Sequence, residues 1–387
     1  MHLQLVTNKA AANEFIQVPL VIYKNDPNFI RPLDKDINDV FDPEKNKAFR
    51  FGECARWVLK DQNEDLIGRI AAFVNKKYKN KGDEQPTGGI GFFECINDQS
   101  AADMLFDVAK SWLTQKGMEA MDGPINFGER DRWWGLVVEG FKPPIYLMNY
   151  NLPYYKTLFE NYGFKNFYNQ VCWHLFVQTK LSEKFYHIHQ KYAALPEYKA
   201  VKINKKNISK FANDFSIVYN NAWASHEGNK QISKEIAIKM FKAMKPVMDE
   251  DLIWFVYHKE EPIAFWLNLP DLNQIVKHLN GKFNWLAKIK FALLKWKGIC
   301  DKFTGIVFGI SPEFQGKGID YFMIVEGAKV IQANTKYNEL ELQWQGDFLP
   351  KMLNISKNLG AEQSRLLTTY RYIFDRSKEF KRHPVLN

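Results

Sequence analysis

The feature that most constrains this chain is a pattern of elements that occurs twice. Each half reads as a hairpin, a strand, a helix, a strand, a helix and a final strand. In the first half, CARWVLKDQNEDLIGRIAAFVN gives an apolar run, a polar turn and a second apolar run. In the second, DLIWFVYHKEEPIAFWLNLP does the same, with its turn at residues 259–262. Apolar, β-prone runs around a short polar turn predict hairpins. A strand and a helix follow each. In the first copy Asn97 or Asp98 can cap the helix, and Ala102, Leu105, Phe106, Ala109 and Trp112 share one apolar face. In the second, Ile306, Phe308 and Ile310 alternate along the strand, and Tyr321, Ile324, Val325, Ala328 and Ile331 keep helical spacing. The second half closes with NELELQW, with LPKMLNISKNLG ending at Gly360, and with RLLTTYRYIF. YYKTLFENYGFKNFYNQVCWHLF has the same shape in the first half, with Gly163 in the place of Gly360.

This order predicts an α/β (α+β) chain of two similar units, each a mixed, largely antiparallel sheet with helices packed on it. The units are expected at 1–185 and 200–387, with the seam near HQKYAALPEYKAVKIN. Residues 272–298 interrupt the second unit as a lysine-rich, helical insertion.

The chain has 387 residues, 46% hydrophobic and 25% charged, the balance of a soluble globular protein with material for two cores. No apolar run reaches the ~18 residues of a spanning helix. MHLQLVTNKAAANEF lacks a basic start followed by an apolar core, so no signal peptide is predicted and the cytoplasm is the expected location. Cys54, Cys95, Cys172 and Cys300 are far apart and form no CxxC pair, which argues for reduced, mostly buried thiols. The formal net charge of +9 favours an anionic ligand or partner. NKKYKNKGDE reads as an exposed loop of solvated charges. Neither zinc-finger spacing nor an RNP-like aromatic motif is present, so nucleic acid is not indicated as a partner.

One strand-to-helix turn carries recognisable chemistry. In GISPEFQGKGIDYFMI, Ile310 ends the strand, Gln315, Gly316, Lys317 and Gly318 form the turn, and Ile319 and Asp320 open the helix. Glycines let successive N–H groups converge on one point. The helix adds its unpaired N–H groups and the positive end of its dipole, which suits a diphosphate, and Lys317 adds a point charge. The other reading is an ordinary turn whose glycines serve geometry alone.

The stretch resembles the pyrophosphate loop of the GNAT (Gcn5-related) N-acetyltransferases, in which Gln315 matches the leading Arg/Gln and Gly318 the central glycine. The element order of both halves is also that family's. GPINFGERDRWWGLVVEGFKPPIYLMNYNLPYYKTLFENYGF is similar to a group of bacterial tandem-GNAT proteins. The resemblance implies an acyl-CoA co-substrate, most often acetyl-CoA, held at Ile310 and at residues 315–320. It implies N-acyl transfer to an amine, borne by a small molecule or a peptide. Asp320 stands where the family has Gly or Ala, and Ser356 and Phe159 stand where many members have an acidic tyrosine. The resemblance leaves Tyr370 or Tyr372 as substitute acids and Glu341 or Glu313 as bases. INDQSAAD, at the equivalent place in the first half, lacks the glycines, so that half is not expected to bind CoA. A Fem-like aminoacyl transferase and a non-catalytic CoA-binding or scaffolding pair are the alternatives.

Three further features remain. The insertion is a basic amphipathic helix that could lie on an anionic membrane, although packing across the sheet with lysines reaching to solvent is the favoured reading. Trp133 and Trp134 in RDRWWG suit a ligand stack or, preferably, an internal interface. His187 and His189 form an HxH pair with no third ligand in sight, so no metal is expected.

Overall fold

A computed structural model describes residues 1–223 and 231–386. The first half runs β1 (His2–Leu5), α1 (Lys9–Ile22), α2 (Asp34–Val40), β2 (Gly52–Lys60), β3 (Leu66–Asn75), β4 (Thr87–Cys95), α3 (Gln99–Gln115), β5 (Ala120–Gly123), β6 (Leu136–Glu139), α4 (Tyr155–Tyr162) and β7 (Lys165–Phe176). After α5 (Glu183–Ala193), the second half runs β8 (Tyr198–Lys202), α6 (Ile208–Trp223), α7 (Lys234–Met244), β9 (Ile253–His258), β10 (Glu261–Pro270), α8 (Asn273–Val276), α9 (Trp285–Trp296), β11 (Lys302–Ile310), α10 (Ile319–Asn334), β12 (Glu339–Gly346), α11 (Pro350–Asn358) and β13 (Glu362–Ile373).

Both hairpins form. β2 pairs antiparallel with β3, and β9 with β10. The second turn is made without glycine, by Lys259 and Glu260 at φ +48° and +69°. Gly163 ends α4 in the left-handed region at φ +106°, where an L side chain would be strained. The sheet faces follow the period of two along each strand. Trp57, Leu59, Ile70 and Ala72 pack under α3 and α4, while Val58, Ala71 and Phe73 pack under α1 and α2. The second half repeats this, with α5 and α10 over one face and α6 and α7 over the other.

The described strands form one sheet in the order β1-β2-β3-β4-β5-β13-β7-β12-β11-β10-β9-β8, with β6 beside β13. The closing strands have changed places. β7, the last strand of the first half, pairs with β12 of the second. β13, the last strand of the chain, pairs with β5 of the first half and runs beside β7. At the seam, α5 packs on α10 through Phe185 and Tyr192, inside the second half's core.

One sequence reading is corrected, and the preferred reading of another, internal packing, holds. The NKKYKNKGDE loop is pinned as well as charged. The Tyr78 hydroxyl donates to Asp122 at 2.6 Å, Asn80 is buried, and Asp122 also accepts two bonds from Arg371 of β13. Trp133 and Trp134 stack on no external face: both are buried in the first half's core, and Trp134 Nε1 donates to the Tyr168 hydroxyl. The four cysteines are free thiols, three of them buried.

Candidate functional site

The site is built from the way β11 leaves its neighbour. β11 runs parallel to β12 only from Lys302–Gly305 against residues 339–342. Opposite β10, Val307 pairs with Leu267 and Gly305 with Asn268, so Ile306 is an extra, bulged residue. A bulge bends its strand and raises its twist. Here it falls where the parallel ladder stops, and Ile306 is 38% exposed. β12 has its own irregularity between Leu342 and Gln345. The two strands therefore splay, and the backbone groups of residues 306–310 that point away from β10 have no strand partner among the described residues.

The splayed strand feeds the glycine turn. After a single 3₁₀ turn at Pro312–Phe314, Gly316 (φ +71°) and Gly318 (φ +91°) lie in the left-handed region. The Gln315 side chain folds back to donate to the Ile310 carbonyl at 3.0 Å, bracing the turn against the strand. The Tyr192 hydroxyl of α5 donates to the Lys317 carbonyl at 2.6 Å. A Cβ at Gly316 would meet nothing within 4 Å, so the space above it is open. The N–H groups of Gly316, Lys317, Gly318 and Ile319 make no hydrogen bond to protein among the described residues. They lead into α10, a helix of 16 residues whose N-cap residue, Gly318, supplies no side-chain bond. Ser311, at the strand exit, is buried with its hydroxyl unpartnered among the described residues. Open space, unpaired N–H groups, an orphaned hydroxyl and the exposed Lys317 together fit an anionic, phosphate-bearing ligand. Asp320 opposes it in part: its carboxyl lies in the first helical turn and is pushed up by burial.

No family model matches this sequence. The chain is 26% identical over 378 residues to protein YghO of Escherichia coli, spanning 94% of this chain and 93% of that protein. It is 24% identical over 376 residues to the bacterial ceramide synthase of Caulobacter vibrioides, spanning 94% and 95%. Among solved structures, a tandem GNAT protein from the clavulanic acid biosynthesis pathway superposes with a TM-score of 0.55, covering 97% of this chain and 100% of that one at 9% identity. This is a tandem GNAT fold.

The second GNAT unit holds the glycine turn, but the four candidate catalytic side chains do not gather around it. Glu341 is buried on β12, 2.8 Å from Arg365 and 3.6 Å from Lys302, so it is a paired structural anion. Glu313 is exposed on the 3₁₀ turn before the loop. Tyr370 and Tyr372 lie on β13, which the strand exchange carries into the core of the first GNAT unit. There the Tyr370 hydroxyl donates to Glu160 at 2.9 Å, and burial, then that carboxylate, raises its pKa, so it holds its proton firmly. Ser356 is buried and exchanges hydrogen bonds with Gln345. His189 Nε2 lies 2.5 Å from Glu326 and 3.1 Å from Lys329, a polar contact between α5 and α10.

The first GNAT unit splays too, but its opening is built differently. β4 and β5 pair only from Thr87–Gly89 against residues 120–122, and Phe92 sits at φ +51°. Gly91 is required there, since a Cβ would fall 1.9 Å from the Ile125 carbonyl oxygen. Asp98 caps α3 by accepting from Ala101 N–H at 3.1 Å, which sets a carboxylate at the helix start. In place of an open groove there is a buried polar knot beside a cavity of about 60 Å³. Glu94 accepts from the Tyr23 and Tyr155 hydroxyls at 2.5 and 2.8 Å and from Arg69 at 3.3 Å, and burial raises its pKa. Sequence reading missed this knot. Arg69 and Glu94, on adjacent strands, come directly opposite only in the register of the finished sheet.

Proposed function

We propose that the second GNAT unit binds an acyl-CoA and transfers its acyl group to an amine. The observation that carries this reading is the continuous surface made by the splayed edge of β11 and the unpaired N–H groups of residues 316–319. An acyl-CoA supplies an activated thioester when bound. The turn and Lys317 would hold its diphosphate. The free backbone edge of residues 306–310 offers amide partners to an extended chain, as an added strand does. In the transfer a C–N bond forms, the C–S bond breaks, and the amine's proton ends on the departing thiolate. Glu341 is committed to Arg365, which leaves Glu313, exposed on the turn after β11, and solvent as routes for that proton. The protein's main contribution is alignment of the two reactants, which by itself supplies a large share of a barrier reduction. The name of one relative, bacterial ceramide synthase, gives the acceptor class to test first, because a ceramide is the amide of a long-chain amino alcohol.

The test is calorimetry with acetyl-CoA and with a long-chain acyl-CoA, where micromolar binding is expected. Absence of heat with either thioester and with free CoA overturns the reading. Lys317→Glu should weaken binding at least about tenfold, since it exchanges an attraction for a repulsion at the diphosphate. Gly318 is a poor probe, because a side chain there would strike Ile188 at 2.6 Å.

A further inference from the structure

The insertion before β11 carries a surface that the acyltransferase reading does not use. α9 is 12 residues long, yet it bears five of the fifteen large apolar side chains exposed among the described residues: Trp285, Leu286, Ile289, Leu293 and Trp296, between 51% and 83% exposed. At roughly 100° per residue these five fall within an arc of roughly 100° on one face of the helix. The other side of α9 is anchored. Ala287 and Phe291 pack with Leu33, Val276 and Leu279, and Asn284 caps the start by accepting from Ala287 N–H at 3.0 Å. The outward stripe is therefore a fixed feature of the surface.

Charge identifies what this stripe faces. From Asn273 to Cys300 there are six lysines and no Asp or Glu. On the wheel, Lys288 and Lys295 border the apolar arc on one side, and Lys290 and Lys297 on the other. A second copy docked about a twofold axis would set this lysine border against itself, which is repulsive. An apolar stripe with cations along both margins and a tryptophan at each end matches the interface of an anionic bilayer. There the apolar side chains enter the acyl boundary, the indoles sit among the headgroups and the lysines reach the phosphates.

We propose that α9 docks the protein flat on an anionic lipid surface. The contact is peripheral, as no helix among the described residues is long and apolar enough to cross a membrane. It stands independently of any acyl transfer, because neither the stripe nor its lysines belong to the loop at residues 315–320.

Flotation of the full chain with phosphatidylcholine vesicles, with and without phosphatidylglycerol, tests this. Binding is expected only with the anionic lipid, weakening as salt rises and accompanied by a blue shift of tryptophan emission. The double variant Trp285→Ser, Trp296→Ser should lose at least about tenfold in vesicle affinity, and Lys288→Glu with Lys290→Glu should lose a similar factor. All four side chains are exposed, so the melting temperature serves as a control on folding. No binding to anionic vesicles overturns the proposal, and so does binding that all the variants retain. If the tryptophan variant instead turns a sedimenting dimer into a monomer while vesicles are ignored, the face belongs to a second copy and the proposal falls.

Discussion

At the scale of single residues, two carboxylates separate binding from stability. Asp320 puts a negative charge in the helical turn that also offers its N–H groups to an anion. Asp320→Gly should tighten acyl-CoA binding by about fivefold, the size of one screened repulsion of about 1 kcal/mol; unchanged affinity in calorimetry would remove the loop from the ligand's path. Glu341 is the opposite case. It neutralises Arg365, itself only 1% exposed, so Glu341→Ala should cost about 3–5 kcal/mol of unfolding free energy in urea, by leaving a buried guanidinium uncompensated. Asp271 adds a pH dependence. Burial lifts its carboxyl to about 6, against the pull of N–H groups from Asn273 and Tyr146. Since its folded pKa lies above the unfolded value, the folded chain binds more protons, and this group stabilises the fold as pH falls from 7 through 6 toward 4. Between pH 7 and pH 5 the gain should be about 1–1.5 kcal/mol, and Asp271→Asn should abolish it. Comparing the two proteins by urea unfolding at pH 7 and pH 5 checks this. Gln315, Gly316 and Gly318 were legible from the sequence because their conformational needs are local. The partners of Glu341 and Tyr370 were not, because Arg365 and Glu160 reach them only through the strand order of the finished sheet.

Among the elements, the start of α10 is set by α5. Gly318 needs its left-handed backbone and also the space that a Cβ would take from Ile188. Gly318→Ala should cost about 1–2 kcal/mol from the backbone alone, with a further contribution from the collision. Ile188→Ala should recover that second part, so the two substitutions should couple by at least about 0.5 kcal/mol in a double-mutant cycle. Strict additivity would show that the helices do not press on each other there. The hairpins, the helix ends at Gly163 and Gly360 and the alternating strands could all be read from periodicity. The orientation of α9 could not. Its inner side, Ala287 and Phe291, is apolar as well, so the pattern alone does not say which side meets the core.

Across the whole molecule, the exchange of β7 and β13 decides how the halves behave. Two similar units are visible in the sequence, yet the pairing of β13 with β5 joins residues about 250 positions apart, and periodicity carries no information on such partners. Each half alone would lack its closing strand. Fragments 1–195 and 196–387 should each fail to show a cooperative thermal transition and should regain one when mixed, as read by circular dichroism. Two halves that melt cooperatively alone would refute this. The exchange also governs synthesis. As the chain leaves the ribosome, β5 waits for its partner through roughly 250 further residues, on the order of 10 to 50 seconds at ordinary elongation rates. A bare strand edge kept that long invites pairing with other nascent chains. The edge in question is only four residues long and is followed at once by Pro124. Shortness and an adjacent proline are the means by which such an edge stays unattractive to strangers until its own strand arrives.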